Sequence, residues 1–173
     1  MAGVDDQELR DALTRLIDRH LIEDVVVRYA TALDSQDWEL LRSCFTDDAI
    51  ADYGTKIGRF EGADAIVAAC REPLSGLDSS QHLLGNMVIE VTGDTAIATV
   101  YVHAQHFLVN DQGASTAVMG GTYIDELTRT ANGWRISVLR FEISWRSGNP
   151  GILGEAGMGA LAEAREERQR GRS

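Results

Sequence analysis

Along residues 7–33, Leu9, Leu13, Leu16, Ile17, Val25, Val26, Tyr29 and Leu33 recur at helical spacing among charged positions. That period predicts one long amphipathic helix, or two in succession, with an apolar side that must pack on something. Asp34-Ser-Gln-Asp37 then supplies turn and cap chemistry, and Asp37 suits the N-cap of a short helix over DWELLRSCF. The acidic TDD that follows predicts the end of that helix. AIADYGTKIGRFEG alternates and carries glycines, which predicts a short strand or hairpin, and GADAIVAACREPL predicts a third helix stopping before Pro73.

Beyond that point the period changes to two. HLLGNMVIEVTGDTAIATVYVHAQHFLV predicts two strands joined through Thr92-Gly93-Asp94-Thr95, and STAVMGGTYIDELTRT pairs in the same way with GWRISVLRFEISW through Ala131-Asn132-Gly133. Helices first and antiparallel strands afterwards is the α+β arrangement, with helices covering one face of a curved sheet and a pocket enclosed between them. The expected organisation is a flexible N-terminus over residues 1–8, one domain over 9–147, and a loop with a charged tail over 148–173. The alternative for that tail is a helix docked on a partner subunit.

Length and composition fit that picture. At 173 residues, 44% hydrophobic and 25% charged, the chain suits one soluble domain, and no apolar run reaches the ~18 residues of a membrane span. MAGVDDQELR has neither the basic nor the apolar region of a secretory signal, so a cytoplasmic location is expected. Twenty-seven acidic against 16 basic residues give a net charge of −11, a surface that repels nucleic acid and anionic lipid. Lys56 is the only lysine, which removes most options for Schiff-base chemistry. Cys44 and Cys70 lie far apart without metal-ligand spacing and read as two half-buried thiols.

Missing motifs narrow the chemistry. The chain has no phosphate loop, dinucleotide glycine fingerprint, nucleophile-elbow serine or His-Glu-x-x-His pair, leaving cofactor-independent chemistry or none. His103 and His106 fall on opposite faces of a strand and cannot chelate one metal together, so no metal site is expected. Asp34 follows an apolar helical stretch, where it suits either a turn carboxylate or a functional one. His82, in SSQHLLGN, suits either a satisfied polar group or a base, and the choice depends on whether a carboxylate reaches it. His106 shares a strand face with Val102, Ala104 and Leu108, where an imidazole needs a partner or a ligand. Tyr29, Tyr53 and Trp38 fit ordinary packing equally well, as do Trp134 and Trp145.

Taken together, ALDSQDWELLRSCFTDDA, the third helix, QHLLGN and GGTYIDELTRTANGWRISVL resemble the SnoaL-like branch of the superfamily that includes nuclear transport factor 2. The resemblance covers roughly residues 10–147. It implies a cone of highly curved antiparallel sheet closed by N-terminal helices, a cystatin-like α+β barrel with a deep pocket. Scytalone dehydratase, bile acid 7α-dehydratase and hexachlorocyclohexane dehydrochlorinase belong to that branch and use an Asp–His pair as base, which implies Asp34 and His82 as the pair here. His106 falls where the two dehydratases carry a further polar pocket group, and Tyr29 and Tyr53 fall near their substrate-holding tyrosines. The implied set is Asp34, His82 and His106 as catalytic, with Tyr29, Tyr53, Trp38, Asn86 and Arg140 contacting substrate. Where the bile acid enzyme has an arginine late in its last strand this chain has Ile143, and Arg140 or Arg146 would substitute only after a register shift. The implied activity is a cofactor-independent lyase, dehydratase or dehydrohalogenase, acting on a hydrophobic cyclic or polyketide-like molecule. An isomerase or cyclase using the same base, and a non-catalytic binding or assembly module, are the alternatives. Members are often dimers or trimers, so a homo-oligomer is implied as well.

Overall fold

The computed structural model describes residues 5–55, 57–111 and 113–153. The helical period at the N-terminus forms a single helix, α1 (Asp6–Ser35). Its first turn is fixed by a capping box: the Asp5 carboxylate accepts from the Gln7 and Glu8 amides at 2.7 and 2.8 Å, and Glu8 returns the contact to the Asp5 N–H. Helical order thus begins ahead of the domain boundary expected at residue 9. Helix α2 (Trp38–Ser43) is capped by Asp37, whose carboxylate accepts from the Leu40 amide at 2.9 Å.

The chain then departs from the expected pattern. The acidic segment read as a helix stop is the start of strand β1 (Phe45–Asp52), with Phe45, Ala49 and Ala51 buried. Arg42 makes this tolerable by bridging Asp47 at 2.7 Å and Asp64 at 2.6 Å. Strand β2 (Arg59–Glu61) folds back antiparallel on β1. Helix α3 (Ala63–Leu74) runs through Pro73 instead of stopping before it. Pro73 stands one residue from the helix end, where its missing N–H forfeits a single intrahelical bond and little helix remains to be disturbed.

Four long strands follow: β3 (Ser79–Thr92), β4 (Thr95–Phe107), β5 (Thr116–Thr130) and β6 (Gly133–Gly148), with the two tight turns falling where the sequence places them. The sheet order is β2-β1-β6-β5-β4-β3. All neighbours are antiparallel except β1 and β6, which pair in parallel, so the curved, unclosed sheet is mixed where a purely antiparallel one was expected. β1 is the first strand and β6 the last, and parallel neighbours need a long connection, here the whole run from β2 through α3 to β5. Register breaks at Gly85/Val88, Gly120/Gly121 and Glu126/Leu127 bend the long strands around the helices. After β6, the Asn149 amide donates to Thr116 O at 2.7 Å, and a 3-10 turn (Pro150–Ile152) buries Ile152 and Leu153 in the core. Packing therefore continues past residue 147; of the loop and tail expected over 148–173, residues 154–173 lie outside the described residues.

A polar clamp sets the position of α1 on the concave face. The Arg129 guanidinium donates both terminal nitrogens to the buried Asp18 carboxylate, each at 2.8 Å, and its Nε to Asp94 at 2.9 Å. It lies 4.4 Å over the Trp134 ring, whose Nε1–H donates to Asp18 Oδ1 at 3.2 Å. The Arg129 hydrogen bonds hold the Asp18 carboxyl below its ordinary value against the opposing effect of burial. Arg19 adds a bond to Ile89 O at 2.8 Å. With its middle fixed near the hairpin ends, α1 carries its last turn across β3. No helix among the described residues is long and apolar enough to cross a membrane.

Candidate active site

Strand alternation and a helix end build the site. In β3, Ser80, His82 and Leu84 face α1, while Gln81 and Leu83 face away. Asp34 lies in the last turn of α1, which Gln36 terminates in a left-handed conformation (φ 56°), returning its amide to Ala32 and Leu33 carbonyls. An acid at this end opposes the helix dipole, so its placement needs donors from elsewhere. It finds three on β3. The His82 Nδ1 lies 2.7 Å from Asp34 Oδ1, the His82 backbone N–H donates to Oδ2 at 2.8 Å, and the Ser80 hydroxyl donates to Oδ1 at 3.0 Å.

Burial raises the Asp34 pKa, but the His82 and Ser80 hydrogen bonds and the attraction of His82 outweigh it and hold the carboxyl below its ordinary value. An ionised carboxylate only accepts, so Nδ1 carries a proton, and in the neutral ring Nε2 is the acceptor. The His82 side chain is only 5% exposed, which fixes the ring without a solvent partner of its own.

His106 enters from β4, on the same face as Val102 and Ala104; its ring centroid is 5.5 Å from that of His82, at 65°. It is buried, and its Nδ1 has no hydrogen-bond partner among the described residues. Burial, with the nearby His82, pushes its pKa down to about 4, a little against the pull of Asp34. His106 is therefore a neutral imidazole near pH 7, with one nitrogen free for a ligand. His103 faces the other side of β4 and packs at a tilt of 58° against Trp145, centroids 5.6 Å apart.

Tyr29 and Tyr53 meet deeper in the fold. Their hydroxyls are 3.2 Å apart, and the Tyr53 hydroxyl lies 3.4 Å from the Cys70 sulfur. Tyr29 also packs edge-on against Tyr123 at 5.6 Å, and Tyr123 rests on Phe141 at 4.7 Å. Burial raises the pKa of all three phenols, so they hold their protons. Cys44 and Cys70 are both free and fully buried, deeper than the half-buried state expected, and burial lifts each thiol to about 11.

Trp38 opens α2, half-buried against the core. Two expected contact residues are not brought to this cluster. Asn86 is exposed in the β3 bulge, where its φ of 49° suits a turn residue. Arg140 points away from the buried Leu139 and Phe141 and pairs with Glu126 at 2.9 Å on the outer face. Register explains both cases, because one step along a bulged strand reverses a side chain's face.

Ser80 was missed, although its spacing of two from His82 is the sequence signal that both share a face. Asp125 was missed too. It is fully buried on the inner face of β5, with neither oxygen hydrogen-bonded among the described residues, and burial raises its pKa to about 8. A separate cleft of about 350 Å³ opens by the Thr92–Thr95 turn between Glu90 and Glu126, at the far end of β4 from His106.

Comparison with known proteins agrees with this architecture. Terrestric acid biosynthesis cluster protein E of Penicillium crustosum is 28% identical over 146 residues, 81% of this chain and 92% of that protein. Among solved structures, a candidate scytalone dehydratase from Novosphingobium aromaticivorans superposes with a TM-score of 0.72 at 21% identity, over 80% of this chain and 91% of its own. The type 3 hexachlorocyclohexane dehydrochlorinase of Novosphingobium barchaimii gives 0.71 at 21% identity, over 81% and 95%. At these identities the structural likeness is one of fold. Residues 14–140 match the SnoaL-like domain, and the chain belongs to that family.

Proposed function

We propose that this protein is a cofactor-independent lyase, a dehydratase or dehydrohalogenase, that acts on a hydrophobic cyclic or polyketide-like small molecule with Asp34 and His82 as its base. The observation that carries the reading is the 2.7 Å contact between His82 Nδ1 and Asp34 Oδ1, beside a neutral His106 with an unused nitrogen. The dehydratase and dehydrochlorinase likenesses and the biosynthetic-cluster relative support the same class. Fold alone does not give activity, so the weight rests on the site.

In the proposed reaction His82 Nε2 takes a proton from a carbon next to a carbonyl or leaving group. The C–H electron pair forms the new double bond as the leaving group departs with its own bonding pair. Asp34 stabilises the imidazolium while it exists, as in other carboxylate–imidazole pairs. For loss of water on the same face, that imidazolium returns its proton to the departing hydroxyl; a halide needs none. Neutral His106 offers a hydrogen bond to a substrate oxygen and does not serve as a charged acid. General-base catalysis of this kind contributes ~10²–10⁴-fold.

An isomerase or cyclase uses the same base and loses nothing. A non-catalytic binding module has no use for an oriented Asp–His pair, and the formed contact weighs against it. The test is a panel of hydroxylated and halogenated cyclic compounds followed by product mass, with Asp34→Asn and His82→Ala as controls. Loss of water or hydrogen halide that requires both residues is the expected result. Products of unchanged mass mean an isomerase or cyclase, and equal turnover by the variants removes the pair from the chemistry.

A further inference from the structure

Helix α1 is apolar on two opposite sides. At about 100° per residue, the sheet-facing Ile22, Val25, Val26 and Tyr29 lie across the helix from Leu9, Leu13, Leu16, Ile17 and Val27. These five, with Leu21 at the edge of the stripe, are 43–63% exposed and run for roughly 27 Å at ~1.5 Å per residue. From Leu9 to Ile17 the stripe is continuous, and the pair of His20 and Asp24, 3.8 Å apart, interrupts it before Val27. An apolar run of this kind differs from the scattered apolar exposure of a monomer surface and marks an interaction face. Among the described residues nothing covers it, because this side of α1 points away from the sheet.

The charges beside the stripe select its occupant. Asp6 and Arg10 stand at one end of this side; at the other are Arg28 and Asp24, which is 3.8 Å from His20 of its own helix and keeps a second carboxylate oxygen for a partner. We infer that α1 pairs antiparallel with α1 of a second copy of this chain, on a two-fold axis through Ile17. That register sets Leu13 against the partner subunit's Leu21, packs Leu16 and Ile17 on their own copies, and brings Leu9 toward the partner subunit's Val27. It also sets Arg10 against the partner subunit's Asp24 and Asp6 against the partner subunit's Arg28, each pair occurring twice. A parallel pairing would set Asp6 on Asp6 and Asp24 on Asp24, and like charges in register are disfavoured. The interface is isologous, as a two-fold dimer requires.

Sedimentation velocity of the full chain over a range of concentrations tests this directly. The wild type is expected to be a dimer, and Leu16→Glu with Ile17→Glu, both exposed positions, is expected to give a folded monomer. Arg10→Asp and Asp24→Arg are each expected to weaken the dimer tenfold or more, and the double variant to restore it, because the exchange recreates the pairs with reversed sign. Within one helix the double variant recreates nothing, since Asp6 and Arg28 then sit beside like charges, so restoration reports the contact between copies. A monomeric wild type, the stripe then being covered by another part of the chain, overturns the proposal. So does a dimer that ignores these substitutions, which would place the interface on another surface such as the outer sheet face around Tyr101 and Trp145.

Discussion

Asp34 holds one residue, His82, by two separate groups: its Oδ1 meets the ring Nδ1 at 2.7 Å and its Oδ2 accepts the backbone N–H at 2.8 Å. The ring is therefore oriented relative to its own peptide plane, and helix end and strand are locked in one geometry. Asp34→Asn and His82→Ala are expected to lower kcat by ~10²–10⁴-fold while leaving a cooperative thermal transition. Near-full turnover by either folded variant on a substrate of the wild type would remove the pair from the mechanism.

Ser80 shares Oδ1 with the His82 ring, and it positions the carboxylate without a direct role in proton transfer. A hydrogen bond to the charged form lowers a carboxyl pKa, so Ser80→Ala raises that of Asp34. The acidic limb of the kcat/KM profile is expected to move to higher pH, while turnover on the plateau changes only a few-fold. Ser80→Thr, which keeps the hydroxyl, is expected to restore the limb.

His106 and Asp125 make stability depend on pH with opposite signs. A histidine with a folded pKa of about 4, below its ordinary ~6.5, leaves the unfolded chain binding more protons between those values. Its contribution is complete above the unfolded pKa and is lost as pH falls toward the folded one. His106→Phe is expected to flatten the fall in Tm between pH 6.5 and 4 in scanning calorimetry.

Asp125, with a folded pKa raised to about 8, is protonated in the native state where the unfolded chain is ionised. Stability is then greatest below the ordinary carboxyl value and is lost as pH rises through about 8. Asp125→Asn is expected to match the wild type near pH 4 and to exceed it in Tm at pH 8. Equal Tm values at pH 8 would mean that Asp125 finds a partner or water in solution.

Removing Arg129 leaves Asp18 buried without its bidentate partner. Arg129→Met is expected to cost about 2 kcal/mol in urea unfolding, below the ~3–5 kcal/mol of a fully buried pair because one side of the guanidinium meets water. Arg129→Lys is expected to recover only part of this, since an ammonium cannot reproduce the fork over Trp134.

Periodicity carried most of the fold into view. The helices, the four long strands and both tight turns follow from spacing and from the glycine and asparagine at the turns. The acidic start of β1 did not, because Asp47 and Asp48 look like turn residues, and the β6 partners that hold the strand on either side of them, Ile136 at Phe45 and Val138 at Ile50, come from the far end of the chain. At the site, the residues alone left Asp34 and His82 open between packing and chemistry; the family resemblance singled them out with His106, and the structure brings the three side by side. Asn86 and Arg140 were misplaced because bulges change facing without changing the hydrophobic pattern. The second apolar side of α1 was hidden for a related reason: two stripes on one helix read in sequence as one broad one.

The parallel contact of β1 with β6 also bears on how the protein is made. Phe45 aligns with Ile136 and Asp52 with Arg140, so the first strand to leave the ribosome waits for the last. During synthesis β1, with the β2 and α3 segments that pack on it, has no completed sheet to join, while the β3–β4 and β5–β6 hairpins close locally as they emerge. Such non-local closure slows folding and leaves an unpaired strand edge on the nascent chain. Asp47 and Asp48, exposed along that edge, are the charges that discourage it from pairing with another chain before β6 arrives.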